Sequence, residues 1–131
     1  MSSPKIEGWL IKKRGDYHKN KFLGKDNMRW FKLQEVTGTD QAELALCYFK
    51  TQKEKEPKGW IFVKDINEIR DSHNSFTVIS PARTMTIECQ TPHEQFLWLK
   101  HLLECCHNAD ISRVLCKLNL YIYIRTNQII L

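Results

Sequence analysis

At 131 residues and 42% hydrophobic content, the chain is long enough for one domain with its own core and too short for two. Its charged share of 27% is ordinary for a soluble domain, and no apolar run approaches the ~20 residues of a membrane-spanning helix. The net charge of +5 is unevenly placed. Up to Val36 there are nine Lys and Arg against four Asp and Glu, and the remaining residues balance at eleven of each. A localised positive field implies an anionic partner, whether phospholipid, nucleic acid or acidic protein. The alternative is a solvated face kept basic for solubility.

Short alternating segments come first. Lys5–Lys13 predicts a strand with Trp9 and Ile11 on one face and Leu10 and Lys12 on the other. Three cations, Lys12, Lys13 and Arg14, crowd its end. Residues 15–27 form a polar loop with Phe22 and Leu23 at its centre and Lys19, Lys21 and Lys25 around them. Met28–Glu35 is the second strand, and Thr37–Asp40 a turn. Glu43–Lys50 is the third strand, with Leu44, Leu46 and Tyr48 opposite Ala45, Cys47 and Phe49. A charged turn around Pro57 leads to a fourth strand, Gly59–Val63. Glu68–Asp71, Phe76–Ile79 and Met85–Cys89 complete seven.

The period then changes from two to 3.6. Thr91 caps, Pro92 suits the first helical position, and Glu94 completes a capping box. Phe96, Leu99, Leu102, Leu103 and Cys106 follow at helical spacing, and Trp98 is expected to seal the sheet. Trp9, Trp30, Phe31 and Trp60 are expected to serve mainly in packing. The fold class is therefore mainly β: a seven-stranded, strongly bent antiparallel β-barrel or sandwich closed by one C-terminal amphipathic helix. The segment 108–131, with its strand-like Tyr121-Ile-Tyr-Ile, fits this plan poorly and is expected to be an extension beyond a domain at 5–107.

Five cysteines at irregular spacing, with no signal peptide before them, predict free thiols in a reducing, cytosolic compartment. His101 and Cys105 are four residues apart on the helix, a spacing zinc accepts. The set lacks a paired Cys-x-x-Cys, so idle thiols are the preferred reading. No nucleophile elbow, phosphate-binding glycine loop or metalloprotease helix is present, so catalysis is not expected.

The pieces "EGWLIKK", "MRWFKL", "LCYFK", "KEPKGWIFV" and "PHEQFLWLKHLLE", in that order, resemble a pleckstrin homology (PH) domain over roughly Lys5–Cys106. "KEPKG" after "YFK" is similar to the cytohesin-like, phosphoinositide-binding branch. The resemblance implies an inositol phosphate headgroup pocket at the first hairpin. Lys12 matches a Lys late in strand 1, Arg29 an Arg early in strand 2, Tyr48 a phosphate-contacting Tyr of strand 3, and Lys58 a cation before strand 4. Asn27 stands where the middle cation of the pattern is expected, and the long hairpin insertion of some cytohesin-like members is absent.

The residues themselves agree with that map. Arg offers a planar fork for phosphate and Lys a point charge, and Arg14 stands beside them. Lys19, Lys21 and Lys25 suit an anionic surface at about 1 kcal/mol each, and Phe22 and Leu23 suit its interface. The competing readings are a solvated sheet edge for the cations, a strand aromatic for Tyr48, and packing for Phe22 and Leu23. The expected partner is a phosphoinositide-bearing membrane met peripherally from the cytoplasm, at the plasma membrane, by a monomeric, non-enzymatic signalling module that needs no cofactor. The main rival is a protein partner, a peptide or small GTPase. Nucleic acid is not expected, because no RNA-binding aromatic signature or zinc finger accompanies the charge.

Overall fold

Seven alternating segments give seven antiparallel strands in a computed structural model that describes residues 6–13, 27–37 and 41–106. They are β1 (Glu7–Lys12), β2 (Asn27–Thr37), β3 (Ala42–Phe49), β4 (Gly59–Phe62), β5 (Glu68–Asp71), β6 (Ser75–Ile79) and β7 (Thr84–Glu88). They form one sheet in the order β4-β3-β2-β1-β7-β6-β5. Strand β1 is the corner. It pairs with β2 along its whole length, from Glu7↔Lys32 to Lys12↔Asn27. It meets β7 only at Ile11↔Glu88 and Lys12↔Ile87, with the Lys13 amide adding a 2.9 Å bond to the Thr86 carbonyl.

Period-two alternation divides each strand between the two faces of the bent sheet. Leu10, Phe31, Leu33, Leu46 and Ile61 point inward from one half, and Ile69, Phe76, Val78, Met85 and Ile87 from the other. Helix α1 (Pro92–Cys105) adds Trp98, Leu99, Leu102 and Leu103 to the same core. The Trp98 ring meets Phe31 edge-on at 6.5 Å.

The helix starts as its sequence dictates. Thr91 Oγ1 accepts from the Glu94 amide at 3.1 Å, and Glu94 Oε1 accepts from the Gln90 amide at 2.9 Å. Buried Gln95 ties this first turn to the β5–β6 turn. Its Nε2 donates to Asp71 Oδ1 at 2.7 Å, to the Ser72 carbonyl at 2.9 Å and to the Ser75 carbonyl at 3.3 Å.

Two expectations change. Val63 leaves the fourth strand and begins a 3₁₀ turn, Val63–Asp65. The turn brings buried Val63 and Ile66 to the same side, through a 3.1 Å bond from the Ile66 amide to the Val63 carbonyl. Of the aromatics expected in packing, Phe31 is in the core, but Trp9 and Trp60 are exposed on the outer face, because alternation turns them away from Leu10 and Ile61. The expectations for Arg14, for the loop residues Lys19, Lys21, Phe22, Leu23 and Lys25, and for residues 107–131 lie outside the described residues.

Cys47, Cys89 and Cys106 are buried free thiols. Burial pushes all three up to about 12 from 9.0, because a thiolate there would lose its water. A raised pKa favours the fold while the thiols stay protonated, so their contribution is whole below pH 9 and is lost as pH rises towards 12. Chemical denaturation across that window should show stability falling, and Cys47→Ala should flatten the fall. Leu102→Ala should cost about 2–5 kcal/mol in the same assay.

Candidate functional site: a cationic rim around Tyr48

The inward face that carries Leu10 and Phe31 also carries Lys12, Arg29 and Tyr48. The register explains why. Lys12 lies opposite Asn27, Leu10 opposite Arg29, and Phe31 opposite Tyr48. Directly opposed residues share a face. At the strand ends distant from the β5–β6 turn the core residues run out, and polar side chains occupy the same face.

Tyr48 is the centre of this rim. Its half-buried ring leans on Phe31 at 5.8 Å. Lys12 Nζ stands over the ring, 5.1 Å from its centroid. The Arg83 guanidinium lies 6.0 Å from the same centroid, and Arg83 Nη1 donates to Tyr48 Oη at 3.3 Å. Cations over an aromatic face are attracted by its quadrupole, so one ring fixes two positive groups. Lys58 reaches the rim through its backbone, its amide donating to the Tyr48 carbonyl at 2.8 Å.

Arg29 completes the set from β2. Its Nη1 donates to the Met28 carbonyl at 2.9 Å, while its buried Nε has no hydrogen-bond partner. A buried donor left unpaired costs about 1–3 kcal/mol, which an acceptor at that point would remove.

Four described cations outside the rim face carboxylates, while exposed Lys50, Lys53, Lys55 and Lys100 have no ion pair among the described residues. Lys13 faces Glu88 at 3.2 Å, Lys32 faces Glu7 at 3.8 Å, Lys64 faces Glu43 at 3.5 Å and Arg70 faces Glu68 at 2.8 Å. Among the described residues, Lys12, Arg29, Lys58 and Arg83 have no carboxylate partner. Convergent like charges repel, and a polyanion placed among them would gain several charge-assisted hydrogen bonds at once.

Sequence reasoning named Lys12, Arg29, Tyr48 and Lys58, and the structure brings Lys12, Arg29 and Tyr48 to one face with Lys58 at its edge. It missed Arg83. That residue ends the Ser80–Arg83 turn, closed by Ser80 Oγ donating to the Arg83 carbonyl at 2.8 Å. It is far from Tyr48 in sequence, and only the bend at β1 joins them. Gly59 was also missed as a site residue. A β-carbon there would stand 2.8 Å from Tyr48 Cε1 and Oη and against Arg83 Nη1.

A model of the PH domain family matches residues 4–107. The chain belongs to the PH domain family. Pleckstrin homology domain-containing family A member 2 of Bos taurus is 25% identical over 64% of this chain and 21% of that protein. The chain thus spans about a fifth of that curated relative's length. Among solved structures, the N-terminal PH domain of human ARAP2 aligns with TM-score 0.57 and 26% identity, over 79% of this chain and 80% of that one. The C-terminal PH domain of pleckstrin, solved in complex with D-myo-Ins(1,2,3,4,5)P5, aligns with TM-score 0.57 and 20% identity, over 78% of this chain and 97% of that one. PH domains are in general non-enzymatic modules, and some bind inositol phosphates. Among the described residues no helix is long and apolar enough to cross a membrane.

Gly59→Ala should push the Tyr48 ring off its seat and cost about 1–3 kcal/mol. Thermal unfolding, with the Tyr48 ring resonances as a local probe, checks this.

Proposed function

We propose that the rim is a phosphoinositide headgroup site and that the domain recruits its parent protein to the cytoplasmic face of a membrane, the plasma membrane in the first instance. The observation that carries this reading is the Tyr48 ring with Lys12 and Arg83 over it and, among the described residues, no carboxylate paired with either cation. Arg29 supplies a fork with an unpaired Nε–H, and Lys58 and Arg14 add charge. The pleckstrin domain crystallised with an inositol pentakisphosphate supports the same ligand chemistry for this fold.

Capture follows in two stages. The long-range field of the basic first segment draws the domain to an anionic surface. Short-range bonds from Lys12, Arg29 and Arg83 then select the headgroup, since a single exposed ion pair contributes only about 0–1 kcal/mol. Lys19, Lys21, Phe22, Leu23 and Lys25 form the membrane-contact loop in this reading, and residues 108–131 follow the PH domain as an extension of its own. Arg83 offsets the neutral Asn27, which faces Lys12 across the hairpin.

Asn27 also favours the second reading, a PH-fold module for a peptide or small GTPase with weak or nonspecific lipid binding. That reading predicts partner binding that persists in Lys12→Ala.

Co-sedimentation with vesicles separates the two. Vesicles bearing single phosphoinositide isomers are compared with phosphatidylserine vesicles of matched charge. The headgroup reading predicts preference for an isomer, weakened about ten- to a hundredfold in Arg29→Ala and in Arg83→Ala. Binding that tracks charge alone, or that ignores both substitutions, contradicts it.

A further inference from the structure

Alternation places a second set of large side chains on the outer face of β1–β4. Trp9 is 37% exposed, Met28 42% and Trp60 38%. They are joined rather than scattered. Trp9 lies opposite Trp30 and Trp30 opposite Phe49, with the Trp9 and Trp30 rings 5.3 Å apart. Trp60 lies opposite Cys47 and meets Phe62 at 6.2 Å. Ala45, Cys47 and Phe49 are buried beneath, with Trp30, Val36 and Phe62 packed on them. Single exposed aromatics are ordinary, but a connected apolar face on a domain this small marks an interaction surface.

Charge along the same strands says what covers it. The rim end carries Lys12, and the β3–β4 loop beside it holds exposed Lys50, Lys53, Lys55 and Lys58 against Glu54 and Glu56. The acids Glu7, Glu35 and Glu43 lie at the opposite strand ends. Glu7 and Glu43 are paired with Lys32 and Lys64, so an anionic plane is attracted at the rim and meets no net positive charge at the far end. Trp60 follows Gly59 and Met28 precedes Arg29, one strand step of about 3.3 Å from the rim, and Trp9 is three steps, about 10 Å, from Lys12. All three thus lie within about 10 Å of the rim, the outer limit of the depth to which apolar faces settle into the headgroup boundary. Trp is the side chain that favours that layer, with an apolar body and one polar N–H.

We propose that the outer face of β1–β4 around Met28, Trp60 and Trp9 is a second membrane-contact surface, which settles against an anionic bilayer beside the rim and tilts the domain onto this side. The proposal rests on the reading that the rim meets a bilayer. The rim supplies the headgroup contact and the aromatic face supplies apolar burial.

The test uses the full chain, Trp60→Ser and Met28→Ser, two exposed positions whose variants are checked by melting temperature. Phosphatidylcholine–phosphatidylserine vesicles with brominated acyl chains, with and without phosphoinositide, report tryptophan quenching and affinity. Calorimetry with soluble inositol hexakisphosphate reports the rim alone. The expected result is quenching in the wild type. Each variant should lose about tenfold in vesicle affinity at unchanged inositol hexakisphosphate affinity. Soluble-ligand binding with vesicle affinity insensitive to both substitutions overturns the aromatic face and leaves the headgroup reading standing. Quenching on vesicles by a wild type that ignores inositol phosphates keeps the face and removes the headgroup reading. Vesicle binding without quenching overturns the face, and binding to neither ligand overturns both readings. A lipid-free dimer in sedimentation that Trp60→Ser disperses overturns the proposal in favour of a second copy as occupant.

Discussion

Helix α1 buries Trp98, Leu99, Leu102 and Leu103 against the concave side of the bent sheet, and that burial decides which end of the sheet is free for function. The helix start is bonded through Gln95 to the turn between β5 and β6. The turn that bears Arg83 lies at the other end of β6. One end of the sheet is thus committed to apolar packing. At the other, the inward face continues past Phe31 into Tyr48, Lys12 and Arg29. The same pleat that fills the core aims the cations.

Tyr48 links the two regimes. Its ring is the last aromatic of the inner stack, in contact with Phe31, and the first surface of the rim, beneath Lys12 and Arg83. A cation over a ring quadrupole leaves its field and most of its donors available to a ligand, whereas one paired with a carboxylate has its field offset and a donor occupied. That difference separates the rim from Lys13, Lys32, Lys64 and Arg70, each of which faces an acid. Gly59 belongs to the same arrangement, because the ring and the Arg83 guanidinium occupy the space its missing side chain leaves.

Much of this was legible in the sequence, because period-two and period-3.6 patterns are local. The seven strands, the Thr91 cap and the inward run of Leu44, Leu46 and Tyr48 need only neighbouring residues to be read. The family resemblance then placed Lys12, Arg29, Tyr48 and Lys58. Arg83 was not legible, since its approach to Tyr48 depends on β1 pairing with both β2 and β7. Nor was the exposure of Trp9 and Trp60, because alternation says which residues share a face but not which face is covered. The 3₁₀ turn at Val63 was hidden for a similar reason. A short apolar run reads as strand until the burial of Ile66 is known.

The central claim is that a polyphosphorylated ring sits among Lys12, Arg29, Tyr48 and Arg83. Titration of the isotope-labelled chain with a soluble inositol phosphate, followed by amide and Arg side-chain resonances, tests it most directly. The account predicts saturable shifts concentrated at Lys12, Arg29, Tyr48, Gly59 and Arg83, with the Arg29 Nε–H moving as it gains an acceptor. Shifts spread over the paired cations Lys32, Lys64 and Arg70, or an Arg29 Nε–H that does not move at saturation, would contradict it.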